Sequence, residues 1–190
     1  METLLSVLLG ISLSAATGFR IFLPPLIMSV MAQTTSFEPP ANLAWLDNPV
    51  ALFVLGVATA AEVLAYYIPW VDNLLDTLAA PAALIAGTLI TYAFGVDLDP
   101  SARWALAIVA GGGAASGVQA LTSVTRLISS GTTGGLGNPV VSTGENVAAT
   151  LLSVLALLLP VLAFAVVVAL LVLAFRQVAR LRRRRRRPTA

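Results

Sequence analysis

RLISSGTTGGLGNPVVSTGE, residues 126–145, carries five glycines, an asparagine and a proline between a hydrophobic stretch before it and a very hydrophobic one after it. Irregular backbone beside a bilayer must find partners for its N–H and C=O groups, so it is buried in protein or lines a wet cavity. This Gly/Thr-rich segment therefore predicts an irregular loop lining a site in a membrane bundle, between two long helices.

The rest of the composition supports that class. The chain has 190 residues, 58% of them hydrophobic, and a mean hydropathy of +0.91, which reads as a polytopic membrane protein. At about 20 residues per span there is room for five or six helices and short loops. Histidine and cysteine are both absent, which excludes imidazole triads, thiol nucleophiles, disulfides, haem ligation and His/Cys zinc sites. Oxygen ligands alone could hold a cation, and no metal site or cofactor is expected. Lysine is absent as well, and eight of the eleven arginines lie between Arg176 and Arg187. The remaining body holds three arginines against nine acids, a net −6. Directly after a hydrophobic span, the arginine run at 181–190 reads as a cytoplasmic tail touching anionic lipid rather than as a nucleic-acid binder.

In chain order, METLLSVLLGISLSAATGF opens the first span and, with Glu2 and no basic residue at its start, is expected to be retained. Gly10, Ser14 and Gly18 repeat every four residues, a small-residue stripe that admits a neighbouring helix. After Arg20, Pro24 and Pro25 should break or kink the short apolar stretch IFLPPLIMSVMA, which suits a re-entrant or interfacial piece. A polar loop is expected over 33–49, a second span over 50–68 with Glu62 inside it, and a third over 71–94 with Asp72 and Asp76 one turn apart. Ser101 suits an N-cap before a fourth span over 102–128, where Gly112, Ser116 and Ala120 make a second stripe. Ser142 and Glu145 match a capping box for the last helix, which is expected to run to about Arg180 as one helix kinked at Pro160.

Asn-Pro-Val occurs twice, at 48–50 and 138–140, each time after a small-residue segment and an arginine. That order suggests two pseudo-repeats, as in an inverted-repeat transporter with its site at the repeat interface. Residues 1–180 are thus read as one all-α transmembrane domain of five spans, with six as the alternative. A cytoplasmic tail puts the N-terminus outside for five and inside for six.

Three kinds of residue could carry chemistry. Glu62, inside an apolar span, is a relay or ligand candidate, or else part of a Glu–Arg tie between helices. Arg20 and Arg126 are the two arginines in membrane segments, and anion recognition competes with structural pairing for them. Asp72 and Asp76 suit the first turn of a helix, where acids stabilise the dipole, or a cation site. Gly134, Gly135 and Asn138 lead to a helix N-terminus that could favour an anion, although the lysine and spacing of a nucleotide P-loop are missing. With no nucleophile–base pair in sight, an enzyme is the weaker reading.

EVLAYYIPWVDNLLDTLAAPAALIAGT (62–88), RWALAIVAGGGAASGVQ (103–119) and GTTGGLGNPVVSTGE (131–145) resemble the bacterial integral membrane family known as domain of unknown function DUF4126. The likeness runs from about Leu4 to Pro160. It implies a small polytopic protein of the bacterial inner membrane and brings no activity with it. The family's landmarks fall on Arg20, Glu62, Pro69, Asp72, Asp76, Arg126, Gly134, Gly135, Asn138, Pro139 and Glu145. The resulting expectation is a transporter or channel for a small ion or anionic solute, working as a homo-oligomer. The alternative is a membrane scaffold or lipid-binding protein.

Overall fold

The computed structural model describes residues 2–68 and 71–185, without the side chains of Asn73 and residues 177–185. Pro69 and the arginine side chains beyond Arg176 therefore lie outside the described residues. The described chain is helical throughout: α1 (Glu2–Thr17), α2 (Leu23–Thr34), a 3-10 turn (Ala41–Asp47), α3 (Pro49–Ala65), α4 (Val71–Phe94), α5 (Pro100–Leu106), a π-helical stretch (Ala107–Gly112), α6 (Gly113–Thr133), α7 (Asn138–Leu158) and α8 (Pro160–Arg185).

Among the described residues, three helical stretches are long and apolar enough to cross a membrane: Leu74–Phe94, Pro100–Thr133 and Asn138–Leu158. A fourth is reached if the 3-10 turn and α3, bent by 82° to one another, count as one span. Helix α1 and the apolar part of α8, Pro160–Arg176, are shorter. At 1.5 Å per residue α1 is about 24 Å long, less than the ~30 Å hydrocarbon core.

Several helix boundaries correct the sequence reading. Asp99, not Ser101, caps α5: its side chain accepts from the Ser101 backbone N–H at 2.9 Å. Pro24 and Pro25 do not kink a helix but start α2, where the amide hydrogens they lack would have had no partner. The Gly/Thr-rich segment is mostly helix. Helix α6 continues to Thr133 and α7 begins at Asn138, so only Gly134–Gly137 turns, and it faces the surface, with Leu136 87% exposed. The capping box fails for the same reason. The cap of α7 is at Gly137, which places Ser142 and Glu145 inside the helix and buried. At Leu159 (φ −139°, ψ 71°) the backbone leaves helical geometry, so the expected single kinked helix is two, α7 and α8, which pack on each other. The two Asn-Pro-Val segments also differ. Asn48 is extended and caps α3 by accepting from Val50 N–H at 2.8 Å, whereas Asn138 is already in α7 and donates to Asp72.

Cross-links fix the two ends of the bundle. At one end Thr3 donates to Asp97 at 3.0 Å, and Leu5, Phe94 and Pro160 line a common cavity. At the other end Glu62 of α3 meets Ile21 and Phe22, and Asp72 of α4 meets Asn138 of α7. Helix α1 enters from the Asp97 end and stops at Thr17, and α2 turns back, so residues 18–22 form the apex of a hairpin, with Gly18 and Arg20 buried and Phe22 exposed. Both arms pack on α7.

Helix α1 is central, touching α4, α6, α7 and α8. Its small-residue stripe does what the spacing predicts: Ser14 Oγ donates to Gly87 O at 2.6 Å and lies 2.8 Å from Thr91 Oγ1. The second stripe is placed differently. Gly111 and Gly112 both face α4, on Thr91 and Thr88 respectively, because the wider π turn brings consecutive residues to one side. Ala120 is exposed. A Cβ built on Gly87 would lie 2.6 Å from Ala115 Cβ, so α4 and α6 approach to backbone contact there.

Candidate functional site

The hairpin apex brings a charge into the bundle. Thr17 Oγ1 turns back to Ser14 O, and Gly18 and Phe19 N–H donate to Ala15 O and Ala16 O. That closes α1 and leaves the Ile21 and Phe22 amides without helical partners. Glu62 reaches across from α3 and accepts both, Oε1 from Ile21 N–H at 2.8 Å and Oε2 from Phe22 N–H at 3.1 Å. Backbone amides outside a helix need partners from elsewhere in the fold, and here a side chain of another helix supplies them.

Between them sits Arg20, 1% exposed. Its Nε donates to Asn146 Oδ1 at 2.5 Å and its Nη2 to Ser142 Oγ at 2.9 Å and Ser142 O at 3.3 Å. The same Nη2 lies 3.2 Å from Glu145 Oε2. From α6, Arg126 closes on the same carboxylate: Nε donates to Oε1 at 3.1 Å, and Nη2 donates to Oε2 in a short contact. Arg126 Nη2 also meets Ser142 Oγ at 3.1 Å. Two buried guanidinium groups thus share one buried carboxylate and one hydroxyl, all from a single face of α7. The face arises because Ser142, Glu145 and Asn146 are three and four residues apart.

Tyr66, at the end of α3 and 5% exposed, supplies an aromatic wall: the Arg20 and Arg126 guanidinium carbons lie 4.0 and 4.2 Å from its ring centre. Cation–π attraction offsets part of the cost of desolvating both arginines. Asp76 stands at the edge, 3.8 Å from Arg126 Nε and 22% exposed. Arg126 Nη1 is buried and has no hydrogen-bond partner. Most buried polar nitrogens are paired, so this one is an exception, as is Arg103 Nη2 outside the cluster.

The remaining predicted residues divide. Asp72, buried at the start of α4, accepts from Asn138 Nδ2 at 3.0 Å, and Asn138 in turn contacts Ser130. This ties α4 to α7 beside the cluster without joining it. Gly134 and Gly135 take positive φ, 64° and 91°, the left-handed region that glycine tolerates best. They make a surface turn and do not line the cluster. The amides around it are spent locally: Leu136 N–H on Thr133 O, Gly137 N–H on Thr133 Oγ1, Asn138 N–H on Gly135 O. The amides of Leu136, Gly137 and Asn138, which lead into α7, are therefore already engaged.

A model of the family described as Domain of unknown function (DUF4126) matches residues 7–180. The chain belongs to this family. No curated protein and no solved structure matches it. For DUF4126 the match runs past Pro160 into α8, further than the likeness seen in the sequence. Three residues of this DUF4126 site escaped the sequence reading: Tyr66, Asn146 and the true role of Ser142. Tyr66 lies four residues after Glu62 on the same helix, and that spacing was the available signal. Asn146 follows Glu145 directly, but a helix start assigned at Ser142 placed both outside the bundle core.

Proposed function

We propose that the protein is a small integral membrane transporter or channel for a small anionic solute, with Arg20, Arg126 and Tyr66 as the recognition site. The observation that carries this reading is the sharing of one carboxylate by two buried guanidiniums while Arg126 Nη1 remains unbonded. Ionisable groups inside a membrane bundle are expensive and mark solute pathways, and arginine pairs suit planar oxyanions.

In this reading α3, α4, α5–α6, α7 and α8 make five passes and the α1–α2 hairpin is re-entrant. The N-terminus is then outside and the C-terminal arginine run meets anionic lipid on the cytoplasmic face of a bacterial inner membrane. The exposed apolar faces of α3 and α4 meet lipid or a second copy of the chain. Solid-supported-membrane currents from protein in liposomes test it, with proton, sodium and small-anion gradients imposed in turn. An anion-driven current that falls in folded Arg20→Gln and Arg126→Gln variants supports transport, and silence across the panel removes it.

A second reading, a membrane scaffold or lipid-binding protein, draws on a different observation. Glu62 and Asp72 are both spent on ties within the fold. It predicts co-purifying lipid or a partner, and substitutions that affect assembly alone.

A further inference from the structure

Resting on that anion reading, we propose that the solute is a carboxylate with a short apolar tail, and that the Glu145 side chain occupies its place as a tethered stand-in. The donors around Glu145 describe their ligand. Oε1 faces Arg126 Nε, and Oε2 faces both Arg126 Nη2 and Arg20 Nη2. That is a two-oxygen, planar, singly charged acceptor in a bidentate fork, the match between guanidinium and carboxylate. Tyr66 closes one side of both guanidiniums, so a bulkier tetrahedral anion gains no further donor there.

Beside the fork a cleft of about 280 Å³ opens between α6 and α7, with Glu145 in its wall and Phe19, Leu121, Thr122, Thr125, Val141 and Gly144 around it. The two threonine hydroxyls are already spent on Gln119 O and Leu121 O, so the cleft offers a tail hydrocarbon rather than hydrogen bonds. Its volume suits a few methylene groups, a water molecule taking about 30 Å³. Gly144 has nothing within 4 Å of a Cβ position, so the rim of the cleft beside α7 is open at that residue. Thr125 and Gly144 are exposed at the rim, which admits a carboxylate either from water or from the bilayer.

The test uses the full chain in nanodiscs, with sodium butyrate as the water-borne probe and laurate as the bilayer-borne one. In Glu145→Ala the fork is empty, so butyrate should raise the thermal midpoint by more than about 4 °C. Equal concentrations of chloride should not, and wild type should hardly move. Glu145→Gln keeps the shape but loses the competing charge, and should bind radiolabelled butyrate at least about tenfold more tightly than wild type. Adding Arg126→Gln should abolish that gain. Should Glu145→Ala fail to fold, the Glu145→Gln affinity alone decides. Laurate acting where butyrate does not keeps the assignment and names the bilayer as source. Equal butyrate affinity in Glu145→Gln and wild type, with no laurate effect, overturns the inference, as does chloride matching the carboxylates. Butyrate counterflow by wild type reads the transport proposal separately. Tighter binding without flux sinks transport alone, and flux of another ion without the binding gain sinks the carboxylate assignment alone.

Discussion

Two places where the chain reverses between helices solve the same problem in opposite ways. At residues 18–22 the reversal buries Gly18 and Arg20 but leaves Phe22 exposed, and its free amides go to Glu62 of a distant helix while its arginine goes to α7. At Gly134–Gly137 the reversal is at the surface, and the Leu136 and Gly137 amides go to Thr133 close by in sequence, with two glycines at positive φ. The glycine-rich turn looks like the special one in sequence, yet it is local and self-sufficient. The apex without a glycine cluster is the one that depends on the rest of the fold. Irregular backbone costs little where water or a tight turn satisfies it, and must recruit side chains where neither can.

The contrast can be broken most strongly at the charges. Arg126→Met leaves Glu145 buried with half its partners, and removing one member of a buried pair costs about 3–5 kcal/mol. Unfolding in mild denaturant should show that loss, while an equivalent polar substitution in the Gly134–Gly137 turn should not. Next comes the apex itself. Glu62→Ala strands the Ile21 and Phe22 amides, for about 2 kcal/mol, and Glu62→Gln, which keeps one acceptor oxygen, should lose less. Faster hydrogen exchange at those two amides in Glu62→Ala identifies the cause.

Glycine substitutions sharpen the comparison at smaller scale. A Cβ at Gly18 would lie 2.7 Å from Val118 Cβ and closer still to Ala115 O, so Gly18→Ala should cost about 1–3 kcal/mol by overpacking. Gly134→Ala meets open space and pays only for its left-handed backbone, about 1 kcal/mol. Thermal midpoints of the two variants should therefore fall in that order. The smallest effect lies at the other end of the bundle. The Ser101 hydroxyl and then the Ser101 backbone amide hold the Asp99 carboxyl below the ordinary carboxylate range. Its folded pKa is lowered, so its contribution is present above the unfolded value and disappears as pH falls through the folded one. Asp99→Asn should flatten that part of the acid-stability profile.

These particulars show what the residues reveal on their own. Hydropathy and small-residue spacing made the helical membrane class legible, and α4 runs over the expected residues, Val71–Phe94. The candidates Arg20, Arg126 and Glu145 do converge, although they are 106 and 19 residues apart in pairs that no local pattern links. What failed was boundary reading at Gly/Thr and Ser-x-x-Glu patterns. Composition does not distinguish a glycine that ends a helix from one that lines a cavity, nor a serine that caps a helix from one that bonds an arginine two turns in. Tyr66 stayed hidden because cation–π contact with two arginines depends on how α3 meets α1 and α6, which sequence spacing does not encode.

The account's central claim is that the buried guanidinium pair recognises an anion and does not merely tie helices. The most direct measurement is the anion-gradient current of wild type against Arg20→Lys, which keeps the positive charge but loses the planar fork. The account predicts a wild-type current that Arg20→Lys, folded and equally reconstituted, loses by an order of magnitude or so. Equal currents from the two proteins, or none from wild type under any anion gradient, would contradict it.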